Sequence, residues 1–319
     1  MYNHPKTVAS FLATVFFSTV LSAQPFAYIS NQLDDSVSII DTASAKVIDT
    51  VKITGKPAGV ALSPDGNTVY ISTPEANGFA VIDAKQHKLL KHVSLGSSGA
   101  LGIAVDKSGQ RLFVADWYKN TVAVIDTVDF KVKATIPVGE SPSGLVVSPD
   151  NRWLYVANRL SNSVSQIDLH TLTERNVTKV GEHPFGLSID SKGQRLYVAN
   201  VESDDVTVLD SQHLKKVATV KVKTLPYATT LALNDSRLFV TNQEDDSVSV
   251  IDTATLTELA VIEVGDKPEG ISTHPDGQHV YVANWFDNTV SVIDAKTLTV
   301  IDTIPTGNGS RAFGLFISQ

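Results

Sequence analysis

One motif returns seven times in this chain of 319 residues, and it limits the fold more than any other feature. FAYISN at 26–31 comes back as NTVYIST at 67–73, RLFVAD at 111–116 and WLYVAN at 153–158, then as RLYVAN at 195–200, RLFVTN at 237–242 and HVYVAN at 279–284. Its aromatic stands at Tyr28, Tyr70, Phe113, Tyr155, Tyr197, Phe239 and Tyr281, 42 or 43 residues apart. An aspartate keeps step at Asp41, Asp83, Asp126, Asp168, Asp210, Asp252 and Asp294. Such a period marks one supersecondary unit, repeated because a single copy cannot bury its own faces.

Residues 140–181 show what the unit is. GLVV, WLYVAN, NSVSQID and the run after HTLT are short β-rich segments, separated by turn residues such as those of SPDN. Four short strands per period, with no helical periodicity, predict a blade of a β-propeller. The first copy begins at FAYISN with no strand before it, and the chain ends on an unpartnered apolar run, Ala312 to Ile317. The expected fold is therefore all-β, a seven-bladed β-propeller of four-stranded antiparallel blades, its ring closed by the C-terminal strand completing the first blade. Phe313 to Ile317 are expected as the innermost strand of that blade, and deleting 311–319 is expected to cost far more than trimming a loose tail. Glycines at 59, 102, 144, 186, 270 and 314, replaced by Thr229 in the sixth unit, are expected to allow close approach around the axis.

The N-terminus reads as a secretory signal. Residues 8–20 are apolar and uncharged, Lys6 precedes them, and Leu21-Ser22-Ala23 supplies small residues for cleavage. The expected domains are a signal peptide over 1–23 and a single propeller over 24–319, periplasmic or secreted, with no membrane insertion after cleavage. The chain has no cysteine, which excludes disulfides, thiolate metal sites and thiol catalysis. A net charge of −8 argues against a dedicated nucleic-acid surface.

YVAN, NTVSVID, SPDG and VGxxPxG resemble the YVTN-type repeat family of seven-bladed propellers over residues 25–319, and the match is nearest to its exported single-propeller branch. The resemblance implies the fold. It leaves function open among surface-layer proteins, a DNA-binding branch, and related lactonases and lyases.

The repeat also separates scaffold from site, because a residue present in most copies is structural and one that departs is a candidate. The Asn or Asp ending each YVAN, and the polar residue four later, are expected to bond backbone N–H groups within the B–C turns. Between them lie variable triplets at one mouth of the channel. Two aromatic pairs stand out, Trp117-Tyr118 and Trp285-Phe286, on units placed nearly opposite one another. Glu202, Glu244 and Asp245, with Asp34, Asp205 and Asp287, make an acidic sector facing a mildly basic one of Lys119 and Arg159. His183 and Arg311 join the same mouth. No HExxH, GxSxG, P-loop or EF-hand pattern occurs. Glu182, His183, Glu269 and Arg311 could approach one another in the channel.

The function expected from this is a non-catalytic exported binding or interaction module, not an enzyme. Its binding residues are Trp117, Tyr118, Arg159, His183, Glu202, Glu244, Asp245, Trp285, Phe286 and Arg311. No cofactor and no metal ligand are expected, the partner is an unknown envelope protein or small ligand, and nucleic acid is not expected. The alternatives are a metal-dependent lactonase- or lyase-like propeller enzyme with its site in the central channel, and a single-stranded DNA-binding propeller.

Overall fold

The computed structural model describes residues 1–2, 25–96 and 99–318. The secretory signal expected over 1–23 lies almost wholly outside the described residues. Seven sheets follow one another in chain order, each an antiparallel meander. Strands are lettered A to D outward from the axis. Six sheets have four strands and the first has three, Phe26–Asn31, Ser36–Asp41 and Lys46–Lys52. The arrangement is a seven-bladed β-propeller. Among the described residues no helix is long and apolar enough to cross a membrane.

Burial follows each strand's position in its blade. Strands B and C are buried nearly throughout, whereas strand D exposes most of its residues, as in Thr173–Lys179. B and C are covered on both faces by neighbouring blades, and D forms the outer rim. The motif aromatics are all buried, so each fills the layer between two blades. Arginines stitch the layers together at the A–B end. Nη1 of Arg111, Arg195 and Arg237 donates to the carbonyls of Leu169, Thr253 and Ala295 on the C–D turns of the next blades, at 2.5–2.6 Å.

The repeated polar residues hold the blades by longer links than expected. Asn31, Asn158, Asn200, Asn242 and Asn284 donate from Nδ2 to side chains on strand C, five and seven residues on, and accept no turn N–H, whereas Asp116 accepts those of Tyr118 and Lys119 as expected. The second polar residue, at 35, 120, 162, 204, 246 and 288, accepts the N–H of a D–A loop residue 21 positions later. Each B–C turn is thereby tied to the D–A loop beside it.

The expected closure by a C-terminal strand is not found. No sheet contains the C-terminal segment, and blade one remains three-stranded. The segment meets blade one at two isolated bridges, Asn31 with Ser310 and Ala27 with Ile317, with backbone hydrogen bonds that include Arg311 N–H to the Ser30 carbonyl (2.9 Å) and Tyr28 N–H to that of Phe316 (2.8 Å), and meets blade two at Gly59 with Phe313. The reason is local. Ala312 (φ 49°) and Gly314 (φ 91°) leave the extended region, so the run cannot keep a ladder register. Phe313 turns its carbonyl to the N–H of Val60 in blade two (2.7 Å). The segment still contributes to the core, because Ala312, Phe316 and Ile317 are buried against Tyr28, Ile39 and Val60.

The axial glycines act as expected where blades meet. A Cβ on Gly102 would stand 1.8 Å from the Ser143 carbonyl oxygen, and one on Gly270 would stand 2.1 Å from that of Arg311. Backbone contact this close leaves no room for any side chain. At the 42-residue spacing the counterparts of Gly270 are Ala228 and Ala312, so neither Thr229 nor Gly314 continues the series.

Candidate functional site

The residue just before each axial position occurs once per blade: Ala58, Leu101, Ser143, Phe185, Tyr227, Glu269 and Arg311. Together these seven ring the axis at the D–A end, and there the channel is filled. The rings of Phe185 and Tyr227 stack with centroids 4.1 Å apart, and Phe313 packs on them at 5.1 and 5.5 Å. Ala58 and Val201 complete this buried cluster, with Leu101 and Trp117 against it.

Beside the aromatic plug sits an ion pair. Arg311 Nε donates to Glu269 Oε2 at 2.6 Å, its Nη2 to Glu269 Oε1 at 3.3 Å and to the Tyr227 hydroxyl at 3.2 Å. Gln243 Nε2 donates to Glu269 Oε1 at 2.7 Å. Burial pushes the Glu269 carboxyl above its ordinary range, while the Arg311 guanidinium and the Gln243 amide pull it back. Burial likewise raises the Tyr227 phenol. Arg311 is sandwiched between rings, 4.7 Å from the Phe313 centroid and 5.6 Å from that of Trp285.

The residues expected to bind a partner all lie at this end, and the structure joins only some of them. Trp285 and Phe286 stack on each other (4.4 Å, 22°), with Trp285 half-buried over Arg311 and Phe286 exposed. Trp117 is half-buried against the plug with the Arg159 guanidinium 5.9 Å from its ring, while Tyr118 points to solvent. The acidic sector is occupied by loop contacts. Glu202 lies 3.6 Å from His183, Glu244 pairs with Lys267, and Asp245 accepts the Thr224 N–H. Asp287 accepts the Asp266 N–H and Asp34 that of Asn308. Of the four groups expected to approach one another, Glu269 and Arg311 meet; His183 pairs with Glu202 instead, and Glu182 is exposed.

The open part of the channel lies beyond the plug. A cavity of about 550 Å³ runs from Phe185 and Phe313 to the A–B turns, where Pro64, Lys107, Pro149, Ser191 and Pro275 form its rim. This is the opposite mouth from the one the aromatic pairs mark.

At that rim blade seven differs from the others. Its A–B turn carries His274, Asp276 and His279, whose ligand atoms all lie within 4.8 Å of one another. Nδ1 of His274 is 3.0 Å and Nδ1 of His279 2.6 Å from Asp276 Oδ2. His274 Nε2 reaches the Thr42 hydroxyl of blade one at 3.2 Å. Both histidines are half-buried and Asp276 is exposed. Burial works to raise the Asp276 carboxyl, but the N–H of Gln278 and the His279 side chain bring it below its ordinary value. Two imidazoles and one carboxylate suit a borderline divalent cation such as Zn²⁺ and leave coordination positions open. Pro275, between the first two of these residues, lines the cavity.

Sequence reasoning passed over this triad because it looked for histidines at the other mouth. The signal was there in the repeat. At the spacing of the motif, His274 stands where Ser63 and Ser148 stand, and His279 where Arg111, Arg195 and Arg237 stand.

Comparison with known proteins adds the following. Among solved structures the chain resembles hydrazine synthase from Kuenenia stuttgartiensis (TM-score 0.73, 20% identity, 80% of this chain and 88% of that one). It also resembles a functionally unknown protein from Desulfotomaculum acetoxidans (TM-score 0.75, 14% identity, 91% and 99%). A third likeness is to the dihydro-heme d1 dehydrogenase NirN in complex with DHE (TM-score 0.70, 15% identity, 90% and 74%). At these identities the likeness is one of fold. Antigen Lp49 of Leptospira interrogans is 28% identical over 131 residues, which span 39% of this chain and only 28% of that protein. Residues 217–308 match the family described as YNCE-like beta-propeller. Residues 15–129 and 125–213 match the one described as Lactonase, 7-bladed beta-propeller. That match and the His/Asp cluster overturn the expectation of a non-catalytic binding protein and favour the enzyme alternative. With well over half its length matched, the chain belongs to the seven-bladed β-propeller lactonase family.

Proposed function

We propose that the protein is a lactone hydrolase working at the A–B mouth of its channel. The family match over residues 15–213 carries the reaction class. Water adds through its oxygen to the lactone carbonyl carbon, the ring C–O bond breaks, the ring oxygen takes a proton, and an open-chain hydroxy acid leaves. The channel supplies a concave, mainly apolar chamber, the setting in which small ligands are usually held. None of His274, Asp276 and His279 lines the chamber itself, but on the turn beside it they would hold a divalent cation, and such an ion polarises a carbonyl and lowers the pKa of bound water. The residues themselves contribute placement: the Pro275 turn sets the triad beside the chamber, and Thr42 orients His274 through Nε2. The uncharged stretch 8–20 and the small residues before position 24 support action outside the cytoplasm.

The repeat supplies the test. His274→Ser with His279→Arg gives blade seven the residues other blades carry, so the fold is kept while two ligands go. Chelator-treated protein is titrated with Zn²⁺ or Mn²⁺ by calorimetry, and hydrolysis of simple lactones is followed with a pH indicator. The expected result is metal binding and metal-dependent ring opening in the wild type, and loss of both in the double variant at an unchanged Tm. A wild type that opens no lactone with either metal would overturn the reading.

A further inference from the structure

The wall of the channel is mainly hydrocarbon. Between plug and rim it is formed by Ile103, Leu145, Leu187, Ile271 and Leu315, with Phe185 at its floor. Of the hydroxyls along this wall, those of Ser188, Thr229, Thr230 and Thr273 have partners, and that of Ser272 has none among the described residues. Ser188 and Thr229 bond each other at 2.8 Å, Thr230 and Thr273 at 2.9 Å, and Thr273 Oγ1 donates to the Leu231 carbonyl at 2.8 Å. Charge is confined to the rim, where Asp106 pairs with Arg111 and Asp235 accepts the Ser191 N–H at 2.8 Å, while the Lys107 ammonium has no ion-pair partner among the described residues. Leu315 lines this space with its apolar side chain 57% exposed.

We infer that the channel takes an unbranched alkyl chain, so that the substrate is a lactone bearing an aliphatic tail. The tail lies along the axis with its end toward Phe185, and the ring stays at the A–B rim beside the blade-seven turn. The depth of the channel offers no cation for a phosphate or carboxylate, whereas every methylene drawn in leaves water. Each added methylene raises capture about fourfold until the floor is reached. The ring at the rim rests on the lactonase reading. The tail in the channel does not, because it follows from the wall alone.

The experiment therefore has two arms. In one, kcat/KM is measured for γ-lactones with straight tails from ethyl to octyl. In the other, binding of straight-chain primary alcohols, which cannot be hydrolysed, is read by displacement of a neutral solvatochromic dye. Leu315→Asp places a charge in the chamber and Leu315→Trp shortens it; as Leu315 is exposed, both variants should melt with the wild type. The expected result is a rise with tail length in both arms, a loss of at least tenfold in Leu315→Asp, and an optimum moved to shorter tails in Leu315→Trp. Alcohol binding that follows chain length without any lactone hydrolysis would uphold the channel and overturn the lactonase reading. Hydrolysis indifferent to tail length would do the reverse, and absence of both would overturn both.

Discussion

Arg311 and Glu269 meet through two hydrogen bonds, 2.6 and 3.3 Å long, and so join the C-terminal segment to the inner strand of blade seven. They are neighbours in the axial ring, 42 residues apart in sequence, and the other five positions of that ring hold no charge. Glu269→Ala leaves the guanidinium buried without its partner and should destabilise by about 3–5 kcal/mol. The apolar double variant Glu269→Leu, Arg311→Met should recover most of that loss. Urea unfolding of the two proteins checks it, and a single variant as stable as the wild type would refute the assignment.

The tail itself is the second test. Phe316 is fully buried in the cluster that contains Tyr28 and Ile39, and its carbonyl accepts the Tyr28 N–H at 2.8 Å. Phe316→Ala should cost about 3–5 kcal/mol, whereas Leu315→Ala, one residue away and exposed, should stay within about 0.5 kcal/mol. Thermal melts of the pair would show whether the segment packs as core despite having no strand.

Acid should find Asp106. It is fully buried, and burial works to raise its carboxyl, but Arg111, Ser108 and backbone N–H groups hold it below the ordinary value. The folded pKa is thus depressed. Its contribution to stability is complete above the unfolded value of about 4 and is lost as pH falls through the folded value. Asp106→Asn should therefore be less stable than the wild type at pH 7, with the gap closing below about pH 4. Urea midpoints across that range decide it, and a gap that persists in strong acid would contradict it.

Close approach of the blades predicts a large effect from one carbon. Gly102→Ala puts a Cβ against the Ser143 carbonyl oxygen, which neither backbone can avoid without moving a blade. A loss of about 1–3 kcal/mol is expected by the same melts. Gly277→Ala, on a turn where a Cβ meets nothing within 4 Å, would suffer only from its φ of 68°.

How far the sequence reveals all this depends on whether a feature is repeated. Blade count, strand order and the buried aromatics were legible because each is stated seven times. The ends were not. Ala312 to Ile317 reads as a strand by composition, yet two left-handed residues break it, and backbone angles leave little trace in an apolar pattern. The aromatic pairs point to the D–A mouth, whereas the open chamber lies at the other. Trp285 is explained by Arg311 beneath it, Asp34, Asp245 and Asp287 by loop N–H groups, and Glu202 and Glu244 by His183 and Lys267. The open mouth was hidden because whether a channel is filled depends on seven side chains at one level. Ala58, Leu101, Ser143, Phe185, Tyr227, Glu269 and Arg311 are separated by whole blades in the chain and adjacent only in space. Blade seven's histidines were visible as departures from Ser and Arg, but linear order does not show that they converge.

The aromatic plug has a kinetic consequence. Among the described residues Phe185, Tyr227 and Phe313 seal one end of the channel, so whatever enters must leave by the same door. Traffic is then sequential. A hydroxy acid product that keeps its tail must back out before another molecule can be admitted, and the contacts that hasten arrival delay departure. For the best-held molecules, turnover at saturation should fall even as efficiency at low concentration climbs, with exit as the slow event.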